Sequence, residues 1–159
     1  MYSILSILVE NKPGILFKVT HLFRSRNFNI ESISVGVTTD HDFSRMTIVT
    51  IGNEKQIQQI VKQINKMIDT IDVKILNQNK SVYKETVLFK VLKNSKLNIT
   101  KLNELLEPYN GKMYKGDISV IIELTETPDK IIAFEEQIKS YNILETARTG
   151  IVALENNEH

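Results

Sequence analysis

The chain of 159 residues contains no cysteine and no tryptophan. Without thiols there is no disulfide framework, no thiolate zinc site and no cysteine nucleophile, and a reducing intracellular compartment is the natural expectation. A surplus of one charge is missing too: 20 Lys and Arg stand against 19 Asp and Glu, giving a net charge of +1. Proteins that neutralise many phosphates are strongly basic, so nucleic acid is not an expected partner. No window approaches the roughly 20 apolar residues of a membrane-spanning helix. The opening Met1-Tyr2-Ser3-Ile4-Leu5-Ser6 lacks the basic and apolar regions of a signal peptide. No membrane association is expected. The hydrophobic share of 42% excludes a disordered polyelectrolyte and leaves a chain long enough for one large domain or two small ones.

What is present is a hydrophobic pattern that switches period repeatedly. Residues 4–9 are apolar and partly β-branched, as in a buried strand, and stop at Glu10-Asn11-Lys12-Pro13-Gly14. Ile15, Leu16, Val19, Leu22 and Phe23 then follow helical spacing to about Arg26-Asn27. Ile33, Val35 and Val37 alternate with small residues. Across the Asp40-His41-Asp42 turn, Met46, Ile48, Val49 and Ile51 form a second strand, so the two predict a hairpin. Ile57, Ile60, Val61, Ile64 and Ile68 are again helical, and Ile71, Val73 and Ile75 alternate. The order is β-α-β-β-α-β.

The polar stretch Asn77-Gln78-Asn79-Lys80-Ser81 reads as a linker, and beyond it the same order recurs. Strands are predicted over 87–91, 112–115 and 118–124, and a helix over 99–106. A second helix opens at Thr127-Pro128-Asp129, where Thr127 can cap and Pro128 sits in the first turn. Residues 143–147 and 151–154 together supply the closing strand. The prediction is therefore an α+β protein of two ferredoxin-like βαββαβ domains, 1–77 and 78–159. Units this small bury limited surface alone, so lateral pairing or oligomerisation is expected to complete the cores.

Catalytic patterns are scarce. His21 falls on the polar side of a helix, His41 in a turn and His159 at the end, with no His-x-Glu, His-Glu-x-x-His or Gly-x-Ser-x-Gly motif around them. Gly111-Lys112 lacks the earlier glycine of a phosphate loop, and no Gly-x-Gly-x-x-Gly occurs. Glu135-Glu136 and Asp40-His41-Asp42 fit a solvated helix face and a hydrated turn. No metal site and no catalytic residue is assigned. The segment 11–16 is more informative, because Asn, Pro and Gly stand between a buried strand and the first turn of a helix. The backbone N–H groups of Gly14, Ile15 and Leu16, with the positive end of the helix dipole, make a pocket for a carboxylate, and Gly14 presents no Cβ to its approach. The same residues also suit a plain tight turn and cap.

At this point Ile4-Leu5-Ser6-Ile7-Leu8-Val9-Glu10-Asn11-Lys12-Pro13-Gly14-Ile15-Leu16 resembles the opening of the small regulatory subunits of acetolactate synthase. Phe28-Asn29-Ile30-Glu31-Ser32-Ile33-Ser34-Val35, Ser44-Arg45-Met46-Thr47-Ile48 and Ala147-Arg148-Thr149-Gly150-Ile151-Val152 agree in order and spacing, so the resemblance runs over essentially the whole chain. It implies an N-terminal ACT domain, a ligand-sensing βαββαβ module, followed by a second ferredoxin-like domain. It also implies association with a large catalytic subunit that joins two pyruvates, or pyruvate and 2-oxobutyrate, using thiamine diphosphate, magnesium and FAD. This chain lacks a Gly-Asp-Gly followed by an Asn-Asn pair of the kind that resembles a thiamine-diphosphate site, so no cofactor is expected in it and the chain alone is expected to be inactive. By the resemblance, the small subunit raises the partner's activity and confers inhibition by a branched-chain amino acid, usually valine.

Carried over by position, the effector carboxylate would meet the N–H groups of Gly14, Ile15 and Leu16, with the Asn11 side chain and, across a homodimer, Asn29 and Ile30. The resemblance also puts the strand around 30–37 at a sheet edge, where β-branched residues invite pairing with a second copy. Gly36 departs from the family pattern, in which Ala is more usual, and a looser pocket wall is the implied consequence. The expected setting is a bacterial cytosol or a plastid stroma. Two rival readings are a free-standing ACT-type sensor of another partner and a small self-sufficient enzyme. The missing catalytic motifs oppose the enzyme.

Overall fold

The computed structural model describes residues 2–94 and 97–156. The chain folds as two compact units, residues up to Tyr83 together with those from Ile151 onward, and Lys84–Gly150. Each is an antiparallel sheet with two helices against one face, so the expected pair of βαββαβ folds is present.

In the first unit the elements are β1 (Tyr2–Glu10), α1 (Ile15–Ser25), β2 (Ile30–Val37), β3 (Phe43–Ile51), α2 (Glu54–Ile64) and β4 (Thr70–Leu76), with sheet order β2-β3-β1-β4. The hairpin of β2 and β3 pairs Ile33 with Ile48 and Val35 with Met46. Alternation decides the faces. Leu5, Ile7 and Val9 on β1, Met46 and Ile48 on β3 and Val73 on β4 turn inward against Ile15, Val19 and Phe23 of α1 and Ile57, Ile60 and Ile64 of α2. A capping box between Asn53 and Gln56 starts α2. That helix ends at Ile64, short of the predicted Ile68, because the chain turns at 65–69 to re-enter the sheet, with Thr70 N–H bonded to the Met67 carbonyl. Ile68 is left 94% exposed.

The second unit holds most of β5 (Ser81–Leu92), then α3 (Ile99–Leu106), β6 (Lys112–Lys115), β7 (Ser119–Glu126), α4 (Pro128–Ile138) and β8 (Ile143–Arg148), in the order β6-β7-β5-β8. Val87, Phe89 and Val91 on β5 and Val120, Ile122 and Leu124 on β7 pack on Leu102, Leu106, Ile131, Phe134 and Ile138. Thr127 does stand at the start of α4, but its hydroxyl makes no capping bond; Pro128 occupies the first turn, and the Thr127 N–H donates to the Glu126 carboxylate at 3.2 Å.

The single closing strand expected over 143–154 is two strands. Strand β8 ends the main path of the second sheet. After Gly150, at φ +76°, the chain runs on as β9 (Val152–Glu155), a fifth strand of that sheet that pairs with β5 off the main path. Ile151 and Ala153 are buried with Ile4, Val49 and Leu76 on the face of the first sheet opposite its helices. Apolar residues on that face explain the return, since water would otherwise meet them. The break between the units thus falls after Tyr83, inside β5, rather than in the polar stretch 77–81. That stretch forms a 3-10 turn over Gln78–Lys80, capped by Asn77 and joined to the tail through Asn156 N–H and the Lys80 carbonyl.

Candidate functional site

The turn from β1 into α1 is held from the side by Asn11. Its Nδ2 donates to the His41 carbonyl at 2.9 Å, its Oδ1 accepts from the buried Ser44 hydroxyl at 3.0 Å, and its own N–H donates to the Asp42 carbonyl at 2.7 Å. Asn11 therefore acts as a brace between this turn and the hairpin loop of β2 and β3, with both ends of its amide already engaged. Lys12 pairs with Glu10 at 2.6 Å, and that hydrogen bond and charge push the Lys12 ammonium pKa above its ordinary value.

Gly14 is the N-cap of α1, with φ +86° and ψ −7°. Only glycine takes that conformation without strain, and an ideal Cβ built there meets nothing within 4 Å. The first turn has neither a capping side chain nor an acidic residue. The Ile15 N–H reaches the Lys12 carbonyl at a long 3.4 Å, and the Gly14 carbonyl accepts from Lys18 at 3.0 Å. Among the described residues the N–H groups of Gly14, Leu16 and Phe17 have no acceptor in the chain. The donor set thus shifts by one residue from the expectation: Ile15 is partly spent, and Phe17 joins. The rule that the first four helical N–H groups lack partners was the signal for Phe17. The Ile15 side chain is buried in the core, whereas Leu16 and Phe17 project from it.

Asn29 and Ile30 lie at the other end of the same helix. The chain leaves α1 through Asn27, at φ 58°, with the Phe28 N–H bonded to the Phe23 carbonyl. The Thr50 hydroxyl holds the Asn29 carbonyl at 2.6 Å, and the Asn29 amide donates to Glu31 at 2.7 Å. Both residues line a cleft of about 410 Å³ with Thr20, Phe23, Arg24, Asn27 and Phe28. An eleven-residue helix spans about 16 Å, so one copy of the chain does not bring 29–30 to 11–16.

Strand β2 is an edge of its sheet, and Val35 and Val37 are about half exposed. Gly36 on that strand has an ordinary backbone, and a methyl group there would meet nothing within 4 Å, so neither conformation nor packing in the chain demands glycine. The other charged candidates are structural. His21 stacks on Phe17 with ring centroids 5.7 Å apart, His41 supplies only its carbonyl to Asn11, and His159 lies outside the described residues. Asp40 caps the Asp42 N–H at 3.1 Å, Glu135 pairs with Arg148 and Glu136 with Lys139. No group of three or more metal-ligating side chains occurs among the described residues, and no described helix is long and apolar enough to cross a membrane.

Comparison with known proteins bears on what such a site serves. Residues 5–72 match the family described as the AHAS small subunit-like ACT domain, and residues 84–157 match the small subunit of acetolactate synthase. The chain is 42% identical to a probable acetolactate synthase small subunit of Archaeoglobus fulgidus, over 97% of this chain and 96% of that protein. It is 37% identical to the isozyme 3 small subunit of Escherichia coli, over 99% and 98% of the two. The crystal structure of the small subunit from Thermotoga maritima superposes with a TM-score of 0.90 at 34% identity, covering 100% of this chain and 99% of that one. The chain belongs to the acetolactate synthase small-subunit family, and its first unit is an ACT domain.

Proposed function

We propose that this chain is the non-catalytic regulatory subunit of an acetolactate synthase: it raises the activity of a thiamine-diphosphate-dependent catalytic subunit that converts two pyruvates to 2-acetolactate and CO2, and it makes that activity sensitive to valine. In this reading the chain works in the cytoplasm on branched-chain amino acid biosynthesis. Thiamine diphosphate, magnesium and FAD belong to the catalytic subunit.

The observation that carries the sensing role is the open start of α1. Three N–H groups and the positive end of the dipole face outward beside a glycine, the arrangement that accepts a carboxylate. Asn11 braces this turn with its Oδ1 and one amide N–H, and its second amide N–H is the donor left for the ligand. The second half of the site comes from another copy. Antiparallel pairing of β2 with itself sets the beginning of one strand, Ile30, beside the end of the other, Val37. Val37 neighbours Ser44 in the sheet, and Ser44 is bonded to Asn11, so that pairing carries Asn29 and Ile30 to the partner copy's 11–16 turn. Ligand binding and dimer geometry are then linked, as an allosteric subunit requires.

The test is to add the purified chain to the catalytic subunit of the same organism and follow acetolactate formation with and without valine. Stimulation that valine reverses is the expected outcome. An unstimulated, valine-insensitive enzyme overturns the proposal.

A further inference from the structure

Resting on the reading of the chain as a regulatory subunit, we infer that the helix-covered face of the first unit docks the catalytic subunit, through a groove at Phe17 and Ile68 that receives an apolar side chain flanked by carboxylates. The groove lies between α1 and the turn after α2, with a volume of about 320 Å³, lined by Phe17, Leu22, Met67 and Ile68 together with Lys18, His21 and Asp69. Phe17 is 71% and Ile68 94% exposed, the two most exposed large apolar side chains of this unit's helical layer. Clustered exposure of this kind marks contact surfaces rather than ordinary scatter.

Charge identifies the occupant. Lys62 stands in the last turn of α2, and Lys66 immediately precedes the groove residues Met67 and Ile68. Asp69 is already neutralised by Lys18 at 2.7 Å, with its own side chain only 11% exposed. Among the described residues neither Lys62 nor Lys66 has an ion-pair partner. With Lys18 and Asp69 neutralising each other, Lys62 and Lys66 leave an unpaired cationic margin on one side of the apolar groove, and its complement is a carboxylate-bearing surface with a protruding apolar residue. A second copy of the chain presents the same cations here and would be repelled. Edge pairing through β2 leaves the groove uncovered, since it lies on the α2 side of α1. Phe17 also belongs to the turn whose N–H groups form the candidate effector pocket, so a partner seated in the groove touches the helix that valine would grip.

The variants Ile68→Asp and Lys66→Glu, singly and together, are mixed with the catalytic subunit and binding is read as the small-subunit concentration giving half-maximal stimulation. Both side chains are exposed, so melting temperature, dimer mass and valine titration of the isolated small subunit stay at wild-type values. The expected result is a rise of about tenfold for each variant, larger for the pair, and a wild-type half-saturation point that climbs with salt. Wild-type half-saturation in the double variant overturns the inference while leaving the regulatory role standing. A double variant that loses its dimer mass also overturns it, by assigning the face to a second copy. If the wild-type chain itself neither binds nor stimulates the catalytic subunit, the regulatory reading fails and this inference with it.

Discussion

The two units repeat one order of strands and helices but finish their first helix and their sheet edge differently. In the second unit, Asn98 caps α3, its side chain accepting from the Lys101 N–H at 3.0 Å. In the first, α1 begins at a glycine in the left-handed region with no side-chain cap. The edge strand β6 of the second unit is four residues long and carries lysines at both ends, a device that discourages further pairing. Its counterpart β2 runs for eight residues and exposes Val35 and Val37. The fold itself requires neither an uncapped first helix nor a long apolar edge beside the hairpin, since the second unit has a capped α3 and a short, lysine-flanked β6. Their coincidence in one unit supports the proposal that this unit takes a ligand and a second copy of the chain.

Filling the open helix start has the largest expected effect. Gly14→Asp places a carboxylate where it can accept the Leu16 and Phe17 N–H groups, and it adds the strain of φ +86° for a residue with a Cβ. Losing two charge-assisted bonds of roughly 1.5–3 kcal/mol each weakens valine binding at least about a hundredfold by calorimetric titration, while stimulation of the catalytic subunit persists. Asn98→Gly, which opens the corresponding helix start in the second unit, leaves valine affinity unchanged. A similar loss from both substitutions would erase the contrast between the units.

Next comes the tail. Ile151 is 5% exposed against Ile4, Val49 and Leu76, so Ile151→Ala lowers stability by about 2–4 kcal/mol, read by denaturant unfolding. For the same reason, a fragment that stops at residue 77 leaves those three side chains uncovered, and it melts below the intact chain even where it still binds valine. Asn29→Ala follows, costing valine affinity roughly 1.5–3 kcal/mol with the dimer intact, since among the described residues the Asn29 side chain bonds only to Glu31.

The smallest effect concerns acid. Burial opposes ionisation of Glu126, but the Lys130 ammonium, the Thr127 N–H and the Lys84 charge outweigh it, and the carboxyl is held below its ordinary pKa. A carboxyl depressed in the folded state contributes stability that is full above its unfolded pKa of about 4.3 and is lost as pH falls through the folded value. Glu126→Gln therefore flattens the decline of melting temperature below about pH 4 and changes the first unit's valine affinity at neutral pH not at all.

Much of this contrast was legible in the residues. Strict alternation in 87–91 and the helical spacing of 15–23 give both sheets and helices, and Asn11-Lys12-Pro13-Gly14 locates the open turn. Other features needed the third dimension. Ile151 and Ala153 look like a continuation of the strand before them, and only the exposed apolar face of the first sheet explains why they leave it. Asn11 has the right chemistry to bind a ligand, and only its distances to His41 and Ser44 show that the same amide also braces the turn. Ile68 fits a helical period, yet the turn into β4 ends the helix first.

Mixing two defective copies tests most directly whether the effector site joins the helix start of one chain to the strand start of another. Gly14→Asp and Asn29→Ala chains, carrying different tags, are refolded together, and the doubly tagged dimers are isolated and titrated with valine by calorimetry. If each site takes residues 11–16 from one copy and 29–30 from the other, both lesions fall in one site and the second site is intact, so mixed dimers bind one valine per dimer at wild-type affinity. Mixed dimers with no wild-type-affinity site would contradict the account, because every site would then lie within a single chain and carry one of the two lesions.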